Sequence, residues 1–167
     1  MKRALRQGRR GGVGIGTAVR RCLAGVLLAS MAATGMAATP NQQAVKVWKD
    51  PNCGCCNDWI AHLKKEGFQV EVFDQGNNGA RASLGIPQQY GSCHTASVGG
   101  YAVEGHVPAA QIKRMLREAP SARGLAVPRM PVGSPGMDGP VYGGRKDAYD
   151  VLLIQTDGSS KVYQSYR

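Results

Sequence analysis

"DPNCGCCNDW" (50–59) sets three cysteines, Cys53, Cys55 and Cys56, into four positions. Just upstream, "AVKVW" (44–48) is a short apolar, β-rich run, and a Pro-Asn turn separates it from the cysteines. Downstream, Trp59, Ile60 and Leu63 recur at helical spacing before Gly67 stops the pattern, so an amphipathic helix is predicted from Cys53 onward. A cysteine in the first turn of a helix faces unpaired amides and the positive end of the helix dipole, and both favour its thiolate. Two cysteines are enough to make and break one disulfide. The third needs another use.

Working outward, "FQVEVFD" (68–74) alternates cleanly and reads as a second strand. Residues 77–87 are polar and broken by glycine, a loop with a short helix. "TASVGGYAVEG" (95–105) reads as two strands around a Gly99-Gly100 turn, and 108–119 as a helix carrying Ile112, Met115 and Leu116 on one face. Strand, Cys-x-x-Cys (Cys53 and Cys56), helix is the redox arrangement of a thioredoxin-like domain. The order β-α-β-(α)-β-β-α therefore predicts an α/β fold, a thioredoxin-like mixed sheet flanked by helices. From about residue 121 the texture changes. Residues 124–144 are dense in Gly and Pro and predict no regular element. Residues 149–166 read as a C-terminal β-hairpin extension turning at Asp157-Gly158, an appendage to the main domain.

The N-terminus sets the compartment. Residues 1–21 hold seven basic residues and no acid, and 22–38 are uncharged, apolar and small. That is the pattern of a secretory signal peptide, expected over 1–38 and cleaved near Ala37 or Ala38; so much Ala and Gly makes a poor membrane anchor. Cys22 lacks the context of a lipoprotein signal. The chain is +10, and losing those seven charges leaves about +3 on a domain of residues 39–167. The remaining basic residues are interspersed with acids and form no stripe with stacking aromatics, so no nucleic-acid partner is expected. No stable membrane insertion is expected after cleavage. There is no paired serine and base for hydrolysis and no Gly-rich phosphate loop.

An exported protein sits where disulfides persist, yet Cys53, Cys55 and Cys56 are too close together all to be staples. "YGSCHTA" (90–96) adds Cys93 and His94 just before the third strand. In a thioredoxin-like fold that loop lies against the Cys-x-x-Cys turn, so four thiols and an imidazole converge. Zinc fits such a set, and Cu(I) fits a sulfur-rich one at least as well. The competing reading is a redox pair with two incidental cysteines. "MPVGSPGM" (130–137) supplies Met130 and Met137, thioethers that suit Cu(I) or simply cover apolar surface. Met115 belongs to the core. His62 stands about 10 Å along the helix from Cys55, too far to share its ion, and is expected to be solvated. His106, in "EGHVPA" (104–109), is expected to cap or pack, with an approach to the site as its other role.

With "CGCC" (53–56), "SCHT" (92–95), "EGHVP" (104–108), "GLAVP" (124–128) and "MPVGSPGM" (130–137) together, the chain resembles the domain-of-unknown-function 411 family, the CopG-type periplasmic copper-resistance proteins, over residues 44–140. The resemblance implies a thioredoxin-like, periplasmic protein of copper handling. By matching position, Cys53, Cys55, Cys56 and Cys93 would be the thiolates of a multinuclear copper cluster, with His94, Met130, Met137 and His106 as further candidate ligands. In "VPRMP" (127–131), Arg129 stands where the family usually has glycine. The expected function is copper binding, as Cu(I), with interconversion of Cu(I) and Cu(II); zinc is the weaker choice. Copper-efflux proteins of the periplasm or an electron donor are its candidate partners. The alternatives are a thiol–disulfide oxidoreductase, with Cys53 as nucleophile and Cys56 as resolving thiol, and a zinc-stabilised interaction module.

Overall fold

In "AVKVWK" every second side chain is buried, which is what a strand under a one-sided cover requires, and it forms β1, Ala44–Lys49. The computed structural model describes residues 43–167, and the leader expected over 1–38 lies outside them. After β1 come α1 (Gly54–Lys65), β2 (Gln69–Phe73), α2 (Asn78–Ser83), β3 (His94–Val98), β4 (Tyr101–Glu104), α3 (Ala109–Glu118), β5 (Gly124–Ala126), β6 (Tyr149–Ile154) and β7 (Ser160–Tyr166). All seven strands form one sheet in the order β2-β1-β3-β4-β5-β6-β7. The β1–β2 and β4–β5 pairs are parallel and the other four antiparallel.

The helices are placed by their apolar stripes. Trp59, Ile60 and Leu63 of α1 and Ala109, Ile112 and Met115 of α3 share one cluster with Val45, Val47, Ala96, Val98, Val103, Leu125, Val151 and Leu153. Each fully buried side chain the size of Leu63 contributes roughly 1.5–3 kcal/mol. The opposite face carries a smaller cluster, Ile86, Ala102, Ala126 and Ile154. Neighbours such as Ala102 and Val103 fall into different clusters because strand side chains alternate between faces. The Gly99-Gly100 turn has φ of 55° and 85°, the left-handed pair that a tight β3–β4 hairpin demands.

Two expectations are corrected. The stretch 124–144 is not wholly irregular: its first three residues form β5, an interior strand. A Cβ on Gly124 would run into the Ala102 backbone. Glycine is there because two strands approach closely, and a three-residue strand led by glycine has no periodicity to read. Nor is the C-terminal hairpin an appendage. β6 pairs with β5, and Val151, Leu153 and Ile154 are buried in the two clusters, so the hairpin completes the core.

Candidate metal centre

Cys53 stands at the N-cap of α1 and lends the helix no side-chain cap, while Cys55 and Cys56 lie in its first turn. The approach to this turn is fixed from below by Lys49, which is 2% exposed. Its ammonium pairs with Asp74 at 2.7 Å and donates to the carbonyls of Asp50 and Pro51. Cys53 and Cys56 are joined as a disulfide, and the free Cys55 Sγ is 3.6 Å from Cys53 Sγ. Cys56 Sγ lies 3.7 Å from the Cys93 carbonyl oxygen. The four sulfurs are mutually within 4.8 Å.

Cys93 ends the loop before β3, and two buried imidazoles meet it. His94 Nδ1 is 3.3 Å and His106 Nε2 3.1 Å from Cys93 Sγ. The other nitrogen of each ring is committed. His94 Nε2 donates to the Gly105 carbonyl at 2.9 Å, and His106 Nδ1 donates to the Pro135 carbonyl at 2.9 Å. Those two bonds fix the tautomers, so both lone pairs are aimed at the sulfur. The His94 ring also rests on Trp59, centroids 4.2 Å apart, while the Trp59 indole N–H holds the Val107 carbonyl. Burial pushes His94 well below the usual histidine range and lowers His106 as well, so both rings are neutral at pH 7. Burial, with the Cys55 charge behind it, pushes the Cys93 thiol up to about 12. Held as a thiol, Cys93 has an imidazole lone pair on either side to which its S–H can donate. Cys93, His94 and His106 are themselves mutually within 4.8 Å, so Cys93 belongs to two donor groups at once.

His106 therefore does pack, being fully buried, but it also reaches the cysteine site. His62 is not the solvated residue expected. It is half-buried, and its Nε2 accepts from the Ala109 amide at 3.1 Å, tying α1 to the start of α3. Nothing in the spacing of α1 could have shown a partner 47 residues away. The methionines part company. Met130 is 48% exposed, beside Arg129 on the rim of a surface groove of about 530 Å³. Met137 is buried, its Sδ accepting from Tyr142 Oη at 3.2 Å. Its neighbour Gly136 (φ 84°) packs so tightly on α1 that a Cβ would stand 2.7 Å from the Cys55 carbonyl oxygen. Met115 is fully buried. Arg129 takes φ 64°, a left-handed conformation that suits glycine. Its amide donates to Gly91 at 3.2 Å and its carbonyl accepts from the Ser92 hydroxyl, so the methionine loop is bound to the Cys93 loop. Sequence reasoning gave no role to Lys49, Arg81 or Glu104. Only Glu104 lay inside a recognised motif, "EGHVP".

A mixed sheet flanked by helices that gathers four cysteines in one group, and two neutral histidines around the fourth of them, defines a protein with a soft-donor site that could hold a metal. The chain belongs to the DUF411, CopG-type family. A family model described as "Protein of unknown function, DUF411" matches residues 90–137. Two solved structures named copper resistance protein CopG are similar to it over most of its length. Form 2 is 45% identical with a TM-score of 0.69, covering 75% of this chain and 98% of that one. Form 1 is 47% identical with a TM-score of 0.68, covering 74% and 96%. No curated protein matches. Among the described residues no helix is long and apolar enough to cross a membrane.

Proposed function

We propose that this is an exported, periplasmic copper-resistance protein of thioredoxin-like fold, released from a leader over residues 1–38, that holds Cu(I) as its cargo. The β2-β1-β3-β4 order, with α1 and α3 packed in one cluster, supports the fold reading. The observation that carries the function is the double membership of Cys93. One thiolate that faces both three sulfurs and two imidazole nitrogens is suited to bridging ions, and bridging lets few sulfurs hold several metals. A tetrahedral ion would set sulfur and nitrogen ligands about 3.6 Å apart and two sulfurs about 3.8 Å apart. The Cys93–histidine distances of 3.3 and 3.1 Å and the Cys53–Cys55 distance of 3.6 Å need to open by only a few tenths. Sulfur-rich donors with neutral imidazoles favour Cu(I) over harder ions, and the CopG similarity supports copper over zinc. Once a two-electron thiol reductant has opened the Cys53–Cys56 disulfide, Cys53, Cys55, Cys56 and Cys93 would be the thiolates that hold Cu(I), with His94 and His106 as further donors.

Anaerobic titration of the reduced protein against a competing Cu(I) chelator tests this. More than one Cu(I) per chain is expected, and saturation at one or fewer would remove the cluster.

The Cys53–Cys56 disulfide supports a second reading, thiol–disulfide exchange or a change of copper oxidation state coupled to these thiols. Cys55→Ser separates the two. It should weaken Cu(I) binding while the Cys53–Cys56 disulfide still forms; strong insulin reduction, unaffected by Cys55→Ser or by copper, would favour the oxidoreductase.

A further inference from the structure

Behind the Cys93 loop lies a buried ion pair. Glu104 is fully buried and Arg81 is 4% exposed, with Nε 2.9 Å from Oε1. Taking two charges out of water costs several kcal/mol per ion, and apolar residues of like volume often serve stability as well. Stability is therefore a weak reason for the pair. Its contacts give a better one.

Glu104 Oε1 also accepts from the Ser92 amide at 2.7 Å, and Oε2 accepts from the Thr95 hydroxyl at 2.6 Å. Ser92 precedes Cys93 and Thr95 follows His94, so one carboxylate brackets the Cys93-His94 dipeptide from both sides. Arg81 closes the frame by donating through Nη2 to the Ser92 carbonyl at 2.6 Å, and through Nη1 to Asn78 and Gln88. Asn77 adds donations to the Ser92 carbonyl and to Thr95 Oγ1. Both polar groups of the Ser92 backbone are thus held. On its own strand Glu104 leads directly into Gly105, whose carbonyl fixes the His94 tautomer, and into His106.

We propose that Arg81 and Glu104 are positioning residues of the metal centre, a clamp that sets where Cys93 stands relative to His94 and His106 before any ion arrives. The inference takes its ligand from the copper reading, but its geometry does not depend on it. The planar guanidinium spans Glu104, the Ser92 carbonyl and two side-chain oxygens at once, which a lysine ammonium cannot do. The Thr95 hydroxyl is the clamp's smallest removable part.

The test uses the full reduced chain, Cu(I) with a competing chelator, and peptide-mapped alkylation of Cys93 in the metal-free protein. Arg81→Lys and Thr95→Val should keep the wild-type circular dichroism and the same Cu(I) number at saturation. Their Cu(I) affinity should fall about tenfold or more, as for lost outer-shell support of a metal site, and Cys93 should alkylate several-fold faster. Thr95→Ser, which restores the hydroxyl, should restore both values. If Arg81→Lys does not fold, the Thr95 pair decides alone. Affinity and alkylation within twofold of wild type in the folded variants would overturn the clamp. Should the wild type bind no Cu(I), the copper reading falls, and the alkylation rates still decide whether the clamp exists.

Discussion

The cysteine turn and the Cys93–histidine wall lie against each other but are built on different principles. The turn is local: three cysteines within four residues, at the start of a helix, two of them already joined as a disulfide. The wall is non-local. Cys93, His94 and His106 come from two sides of a hairpin, both rings are fully buried, and each is locked by a carbonyl on another segment. A local cluster can change its sulfur bonding by moving a few torsions. A buried, tautomer-locked wall cannot follow without moving the sheet. The pairing joins a disulfide-bearing face to a rigid one, and the Cys93 sulfur is the atom they share.

Cys93→Ala should break the comparison outright. Removing the shared sulfur strips both donor groups, so Cu(I) number should fall along with an affinity loss beyond the roughly 100-fold upper end seen for outer-shell changes. His94→Ala, which touches only the wall, should lower affinity less and leave the turn's capacity. Equal effects of the two variants in the same chelator titration would mean that the regions are not joined through Cys93.

The joint between the methionine loop and the turn is tested by Gly136→Ala. The new Cβ would sit 2.7 Å from both the Cys55 carbonyl oxygen and the Trp59 amide, at φ 84°. A loss of about 1–3 kcal/mol is expected from the wrong backbone region and the contact together. Chemical denaturation measures it, and an unchanged midpoint would show that the loop does not press on α1.

Acid should act on the wall more than on the turn. His94 and His106 are both lowered by burial, so in the folded protein they resist a proton that the unfolded chain accepts near 6.5. Stability is complete above that value and is lost as pH falls from 6.5 through the folded values. Half-buried His62 adds in the same direction, whereas Glu104, raised by burial, opposes it toward the acid end. Melting of the metal-free protein should therefore come at lower temperature at pH 5.5 than at 7.5, by roughly 4 °C for each kcal/mol lost. Replacing both wall histidines by glutamine should flatten that slope.

Arg129→Gly should have the smallest effect. It relieves a left-handed residue but frees the unfolded chain, so the net change stays within about 1 kcal/mol. Cu(I) affinity should not change, because the Ser92 and Gly91 contacts are made by the Arg129 backbone.

Most of the first half of the fold was legible because it is written in local periodicity. A short apolar, β-rich run gave β1, alternation gave β2, the 59-60-63 spacing gave α1, and paired glycines gave the β3–β4 turn. β5 and the integral role of the hairpin were not, because Gly124 is selected by a neighbouring backbone and β6 by partners across the sheet. The site divides in the same way. Cys53, Cys55, Cys56, Cys93 and His94 announce themselves by residue type and crowding. His106 could be named but not placed, and Lys49, Arg81 and Glu104 look like ordinary surface charges until burial and distance are known.

By itself, then, the sequence determined the chemistry available: a thiol-rich turn at a helix start, a distant Cys-His pair and a methionine loop. Spacing along a chain fixes which side chains share a helix face or a strand face, so those features needed no third dimension. Only the tertiary structure decided that both histidines turn a lone pair toward Cys93 and that a buried ion pair frames its loop. The reason is physical: a tautomer is set by whichever carbonyl a ring happens to meet, and a charge is buried only where distant segments supply its partners.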